Sequence, residues 1–288
     1  MPEKAEEAET VNLQSLGENK NAGRRNSTRR EQFPARNKRV LIIGGLVTVC
    51  IIILIIVGAW FIYNSVSDSH PEWLQTIPGL HFQPNSSVRD SLIMFRSTDS
   101  QSFQPWIEII DNFLKDYEED VSNNHVSCSY NNPPPPGKVC HISLKDFHQC
   151  SKENLYGYHK GSPCIFLKIH KFPNWVPEYY NVSELPDLMP QHLKNHILLQ
   201  TLWVSCEGET NNDKEFIGPL KYLPRMGFPG YFFPYRNIDG YLSPLVAIQL
   251  ERPQVGIVIN IECKLWAKNI AHDREKRIGL TRFELMVD

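Results

Sequence analysis

The chain has 288 residues, 22% of them charged, and a net charge of −2, so overall charge gives nucleic acid no reason to bind. Its length allows one sizeable domain with additions. The charge is unevenly spread, however. Residues 1–39 hold nine Lys or Arg against six Glu, residues 64–288 hold 21 bases against 26 acids, and residues 40–63 hold no charge.

Residues 1–39 are polar and lack apolar periodicity, which predicts a disordered tail. Within it, Arg24-Arg25-Asn26-Ser27 offers Ser27 to a basic-directed kinase. Residues 40–63, VLIIGGLVTVCIIILIIVGAWFIY, predict a transmembrane helix. As a helix this stretch spans about 36 Å against roughly 30 Å of bilayer hydrocarbon. It is too long and starts too far into the chain to be a signal-peptide core. Arg36, Lys38 and Arg39 stand directly before it, behind Arg24, Arg25, Arg29 and Arg30, and no Lys or Arg follows until Arg89. Positive charge stays in the cytosol, so the expected topology is type II, with the N-terminus inside and about 225 residues exported. Trp60, Phe61 and Tyr63 close the outer end, where aromatic rings favour the headgroup layer.

Six cysteines lie on the exported side: Cys128, Cys140, Cys150, Cys164, Cys206 and Cys263. An even number in an oxidising compartment predicts three disulfides, but spacing alone does not choose the pairing. Sequons at Asn85 and Asn181 are open to glycosylation, whereas the one at Asn26 should stay bare in the cytosol.

Residues 64–90, rich in Ser, Pro and Asn, predict a stalk, and residues 91–288 the folded ectodomain. Leu92 to Phe95 predicts a strand. Ser102 to Tyr117 predicts an amphipathic helix with an apolar stripe of Trp106, Ile109, Ile110, Phe113, Leu114 and Tyr117. The remaining signals are strands between Pro and Gly: residues 138–144, 164–172, 200–206, 244–251, 255–266 and 277–287. Ile257, Ile259, Ile261, Cys263 and Leu265 share one face of a strand, as do Leu202, Val204 and Cys206. Two inward cysteines suit a bridge across a sandwich core, and closing a loop of about 57 residues would stabilise it by roughly 4 kcal/mol. The proline run 133–136 predicts a stiff polyproline II surface loop.

No catalytic signature is present. The chain lacks a Gly-x-Ser-x-Gly elbow, His-Glu-x-x-His, a phosphate-binding loop, and the Asp-Lys-Thr-Gly sequence of an ion pump's catalytic chain. An Asp-x-Asp motif, which many Golgi glycosyltransferases of this topology use, is also missing. His141, His148, His159 and His170 lie near cysteines, but their intervals fit no zinc finger and thiolates seldom survive oxidising surroundings. The expectation is therefore a protein without metal, cofactor or small-molecule substrate, and not an enzyme.

Several motifs in a fixed order carry a family resemblance. They are Ile77-Pro-Gly-Leu80, Phe95-Arg-Ser-Thr-Asp-Ser-Gln-Ser-Phe103 and Gly137-Lys-Val-Cys140, then Tyr156-Gly-Tyr-His-Lys-Gly-Ser-Pro-Cys164 running on to Lys168. Phe232-Phe-Pro-Tyr235, Tyr241-Leu-Ser-Pro-Leu-Val-Ala-Ile-Gln249 and Ile261-Glu-Cys-Lys264 follow. Over residues 72–288 the chain resembles the beta subunits of the sodium/potassium- and proton/potassium-transporting ATPases. The resemblance implies the pairing Cys128–Cys140, Cys150–Cys164 and Cys206–Cys263. It also implies an immunoglobulin-like, β-rich sandwich with one amphipathic helix and long loops. Its functional implication is a non-catalytic chain of the plasma membrane that passes through the endoplasmic reticulum, assembles there with a catalytic alpha subunit, and tunes potassium transport.

Expected contact residues are Gly44, Gly45 and Trp60 in the span and Tyr231, Phe232, Phe233 and Tyr235 outside. The inner half of the span carries no aromatic residue, where family spans carry closely spaced Phe and Tyr. A pump-independent adhesion or junction glycoprotein of the same fold is the alternative expectation.

Overall fold

The computed structural model describes residues 47–60, 79–86, 91–118, 123–194 and 200–288. The chain divides into two compact units, Met1–Asp68 and Ser69–Asp288. In the first, residues 47–60 form helix α1, whose apolar side chains point outward along its whole length, Leu54 being 70% exposed. Among the described residues no helix is long and apolar enough to cross a membrane. Residues 40–46 and 61–63 of the expected span, with Gly44 and Gly45, lie outside the described residues, as do Ser27 and the rest of the expected tail.

The second unit is built from two sheets. Strands β1 (Leu80–Gln83), β5 (Cys164–Ile169), β9 (Leu245–Leu250) and β7 (Leu220–Leu223) form a four-stranded antiparallel sheet in that order. Strands β2 (Leu92–Phe95), β11 (Leu280–Val287), β10 (Val258–Trp266), β6 (Thr201–Gly208) and β8 (Gly227–Pro229) form the other. In that sheet only the edge pair β2 and β11 is parallel. A two-stranded parallel ladder joins β3 (His125–Val126) to β4 (Val139–Cys140).

The period-two pattern decides which residues meet between the sheets. Leu167 and its cross-strand partner Phe82 are buried on the inner face of the first sheet, and Phe82 packs on Phe283 of β11 at 5.0 Å. Ile259, Ile261, Cys263 and Leu265 on β10, with Leu202, Val204 and Cys206 on β6, bury the matching face of the second sheet. On the opposite face of β5, Phe166 meets Phe113, Phe147 and Tyr156, so helix α2 (Ser100–Glu118) covers the first sheet from outside.

Asp99 accepts the Gln101 backbone N–H at 3.0 Å, which starts α2 two residues earlier than the periodicity predicts. The buried stripe is Phe103, Ile107, Ile110, Leu114 and Tyr117, rotated from the predicted one, with Trp106, Ile109 and Phe113 half-buried along its flank. Side chains at three- and four-residue spacing share a helix face, and several such faces overlap in a sequence with this many apolar residues.

Three expectations are corrected. The stretch predicted as stalk contains β1, hydrogen-bonded to β5, because Leu80 and Phe82 alternate into the core. The predicted strand over 138–144 shrinks to Val139–Cys140, after which Leu144–Phe147 closes into a 3-10 turn. The bridge expected across the sandwich lies within one sheet, since Cys206 and Cys263 are direct cross-strand partners on β6 and β10. Their Cα atoms are 4.0 Å apart, near the close spacing of a non-hydrogen-bonded antiparallel pair. Alternation reports which face a residue occupies, and neighbouring strands of one sheet satisfy it as well as facing strands of two.

Short elements are fixed by local chemistry. Thr210 and Asp213 form a reciprocal capping box at the start of α4 (Asn211–Phe216), which follows α3 (Gln191–Lys194). The buried Asp213 also accepts the Asn260 backbone N–H at 2.9 Å, tying α4 to β10. At Gly157, φ is +80° and an added Cβ would meet the Ser162 carbonyl oxygen at 2.1 Å, so only glycine fits.

Candidate functional site

The expected extracellular contact residues fall in the segment after β8. Gly227 lets the chain approach β6, for an added Cβ would lie 2.5 Å from the Leu202 carbonyl oxygen. Phe228 then sinks fully into the core. From there residues 230–241 run across the surface as a series of half-buried rings.

Each ring has a defined neighbour. Tyr231 meets Tyr130 edge-on at 5.4 Å and Phe232 at 4.9 Å. Phe233 meets Trp175 at 5.7 Å, and Tyr235 meets Tyr241 at 4.8 Å. Phe232 and Phe233 also pack on the main core. The backbone is held at both ends: Asn174 N–H donates to the Tyr235 carbonyl at 3.0 Å, and Gly230 N–H donates to Gln200 at 2.7 Å. Tyr235 donates its hydroxyl to Asn237 at 2.6 Å.

A cleft of about 360 Å3 opens beside these rings. Its lining joins a proline wall, residues 133–136, to Tyr130, Tyr231, Phe232 and Tyr241, with Lys138 and Arg236. The first disulfide loop supplies the proline wall, because Cys128 and Cys140 are joined across it. Burial raises the hydroxyls of Tyr231 and Tyr241 above their ordinary range, so both rings stay neutral. The result is a surface of packed rings and prolines with the Lys138 ammonium and the Arg236 guanidinium in its lining. It offers contact area at little entropic cost and no reacting group.

The other expected site residues are spread across the fold. Disulfides join Cys128 to Cys140, Cys150 to Cys164 and Cys206 to Cys263. Asn181 is exposed at the start of a 3-10 turn, where its side-chain amide donates to Glu184 at 3.1 Å. Asn85 is half-buried, and its backbone N–H donates to the Gln83 side chain at 2.9 Å. Trp60 is exposed on α1. Among the described residues no group of three or more His, Cys, Asp or Glu is placed to hold a metal ion.

Sequence reasoning missed the participation of Tyr130, Trp175 and the proline loop in this surface. The density of aromatics within one segment is visible in the sequence, whereas partners brought from distant segments leave no such trace.

Comparison with known proteins places these features in a family. The pattern of the sodium/potassium ATPase beta chain matches residues 41–284, including most of the expected span. The chain is 42% identical to the sodium/potassium-transporting ATPase subunit beta-2 of Drosophila melanogaster over 86% of its own length and 81% of that protein's. It is 36% identical to subunit beta-1 of the same organism, over 86% of this chain and 82% of that one. Human subunit beta-2 is 25% identical, over 80% and 79%. A match of this extent, with three disulfides on a two-sheet scaffold, makes the chain a member of the sodium/potassium ATPase beta chain family.

Proposed function

We propose that this chain is the non-catalytic accessory subunit of a potassium-transporting P-type ATPase. It assists the assembly, stability and surface delivery of a catalytic alpha subunit and biases potassium transport through differential contacts with the pump's states. The observation that carries this reading is the family match over residues 41–284, since it covers both the expected span and the folded ectodomain.

The finer claims extend that reading. Residues 1–39 form the cytoplasmic tail, residues 40–63 the single type II span, and everything beyond reaches the extracellular side by way of the endoplasmic reticulum. The outward-pointing apolar side chains of α1 support a lipid or helix neighbour, because water would leave that surface uncompensated. Gly44, Gly45 and Trp60 are proposed to face the alpha chain within the bilayer, the glycines permitting close helix approach. Outside, Tyr231, Phe232, Phe233 and Tyr235 with the proline wall form the proposed docking face. Asn85 and Asn181 are the proposed glycosylation sites, and the ectodomain is an immunoglobulin-like variant whose β6–β10 bridge lies within a sheet.

The test is co-purification. The tagged full chain, expressed with a catalytic alpha subunit and extracted in mild detergent, is expected to recover that alpha chain in equal amount. Recovery of the tagged chain without it refutes the proposal. Tyr231→Ala together with Phe233→Ala should lower the yield several-fold without lowering this chain's own expression.

A further inference from the structure

A second surface, on the outer face of the four-stranded sheet, is electrostatically unbalanced. His81 on β1 is the cross-strand partner of Lys168 on β5, so their side chains share a face. His170, two residues after Lys168, returns to the same face, and its ring lies edge-on to His81 with centroids 3.9 Å apart. The Lys168 Nζ sits over Phe113 and Tyr117 of α2, 5.3 and 5.9 Å from the ring centres. Lys171 Nζ sits over Tyr235 and Tyr241, at 5.8 and 5.7 Å. Phe113 and Tyr117 lie 6.0 Å apart and Tyr235 and Tyr241 4.8 Å apart, so each lysine sits over its own aromatic pair.

Among the described residues, the groups facing His81, Lys168 and Lys171 are nearly all basic or neutral. From α2 come Tyr117, whose hydroxyl donates to the Ser243 carbonyl, and Asp116, which acts on Lys168 only through space. From the aromatic segment come Tyr235 and Tyr241. Neither lysine is in an ion pair with a described carboxylate. Partial burial, then His170 and Lys168, hold the His81 imidazole down at about 4, well below its ordinary value. Burial and Lys171 likewise lower Lys168. Basic groups that lower one another in this way are relieved when an anion joins them.

Two imidazoles in contact suggest a metal at first sight. Two ammonium groups beside them argue against a divalent cation, since a dication would add to the repulsion it should relieve. An anion reverses the sign of every one of these interactions. We propose that His81, Lys168, His170 and Lys171 form a binding site for a sulfate or phosphate oxyanion, free or carried as an ester on a sugar. The lysines supply charge and the imidazoles supply N–H donors.

Linkage fixes the pH behaviour. A bound anion stabilises the protonated imidazoles and raises their pKa, so affinity increases as pH falls from 7 toward 5. The experiment uses the full chain in phosphatidylcholine nanodiscs with its histidines carrying 13C at Cε1, titrated with sodium sulfate at constant ionic strength. His81→Asn identifies the His81 resonance. The expected result is a saturable shift of that resonance, an affinity at least tenfold higher at pH 5.5 than at 7.5, and at least tenfold weaker binding in Lys168→Gln/Lys171→Gln. A shift linear in sulfate, or equal to that caused by sodium chloride, overturns the site, as does wild-type behaviour in the lysine variant with unchanged resonances elsewhere. Glucose-6-sulfate binding more tightly than inorganic sulfate assigns the ester source, and equal affinity assigns the free ion.

Discussion

The two sheets hide their outer faces in different ways. On the four-stranded sheet, α2 lays Phe103, Ile107, Ile110, Leu114 and Tyr117 into the core, an apolar lid on an apolar face. On the five-stranded sheet the cover is the short helix α3 with the loop before it, and a turn. Met189 and Leu193 pack with the cross-strand pair Trp203 and Trp266, while Trp266 donates its indole N–H to Ser205 at 2.8 Å. Beside them the Glu262 side chain, 1% exposed, is held by Lys264 at 2.7 Å and by Arg274 through two hydrogen bonds of 2.7 and 3.1 Å. One cover is fastened by area, the other by a few directed polar contacts. Loss of area costs in proportion to the cavity left, whereas a buried carboxylate that loses a partner keeps an under-compensated charge.

That contrast can be broken at either side. Ile110→Ala, at a fully buried position under α2, should cost about 3 kcal/mol in urea unfolding of the detergent-solubilised full chain. On the other side, Arg274→Ala leaves Glu262 with Lys264 alone, and should cost about 2 kcal/mol, discounted because Arg274 itself is half exposed. A loss below about 0.5 kcal/mol would mean that water replaces the guanidinium and the turn is not fastened as described.

Acid sharpens the same contrast. Burial works to raise the Glu262 carboxyl, but the hydrogen bonds from Arg274 and Lys264 outweigh it and hold it below its ordinary 4.5. A carboxylate lowered in the folded state contributes stability above its unfolded pKa and loses it as pH falls through the folded value. Unfolding midpoints should therefore decline below about pH 4.5 in the wild type and decline less in Glu262→Gln, which starts lower at pH 7. Parallel curves would contradict the assignment. The smallest effect belongs to Trp106, whose indole N–H donates to the Met94 carbonyl at 2.9 Å on the edge of β2. Trp106→Phe should cost about 1 kcal/mol and speed hydrogen exchange along β2 without altering the α2 core.

The same division explains what the sequence made legible. The α2 helix and strands β6 and β10 could be read because their apolar residues repeat at helix or strand spacing, and β2, β5, β9 and β11 because they are apolar runs clear of internal prolines. Strands β1, β7 and β8 have three or four residues each and sit beside prolines, too short for a period to show. Alternation places Cys206 and Cys263 inward, as found, but it carries no information about whether they sit on facing sheets or on neighbouring strands of one. Of the candidate surface, Tyr231 to Tyr235 stood out through density alone. Tyr130 and Trp175 join them only through the fold, and the pairing of His81 with Lys168 depends on a register that no local pattern reveals.

The central claim is that this chain serves a catalytic partner, and surface labelling tests it most directly. Cells expressing a catalytic alpha subunit with and without this chain are labelled with an impermeant biotin reagent, and the labelled fraction of alpha is measured. The account predicts a several-fold rise when this chain is present, lost on deletion of residues 40–63. An unchanged fraction of alpha at the surface, with this chain itself abundantly labelled there, would contradict it.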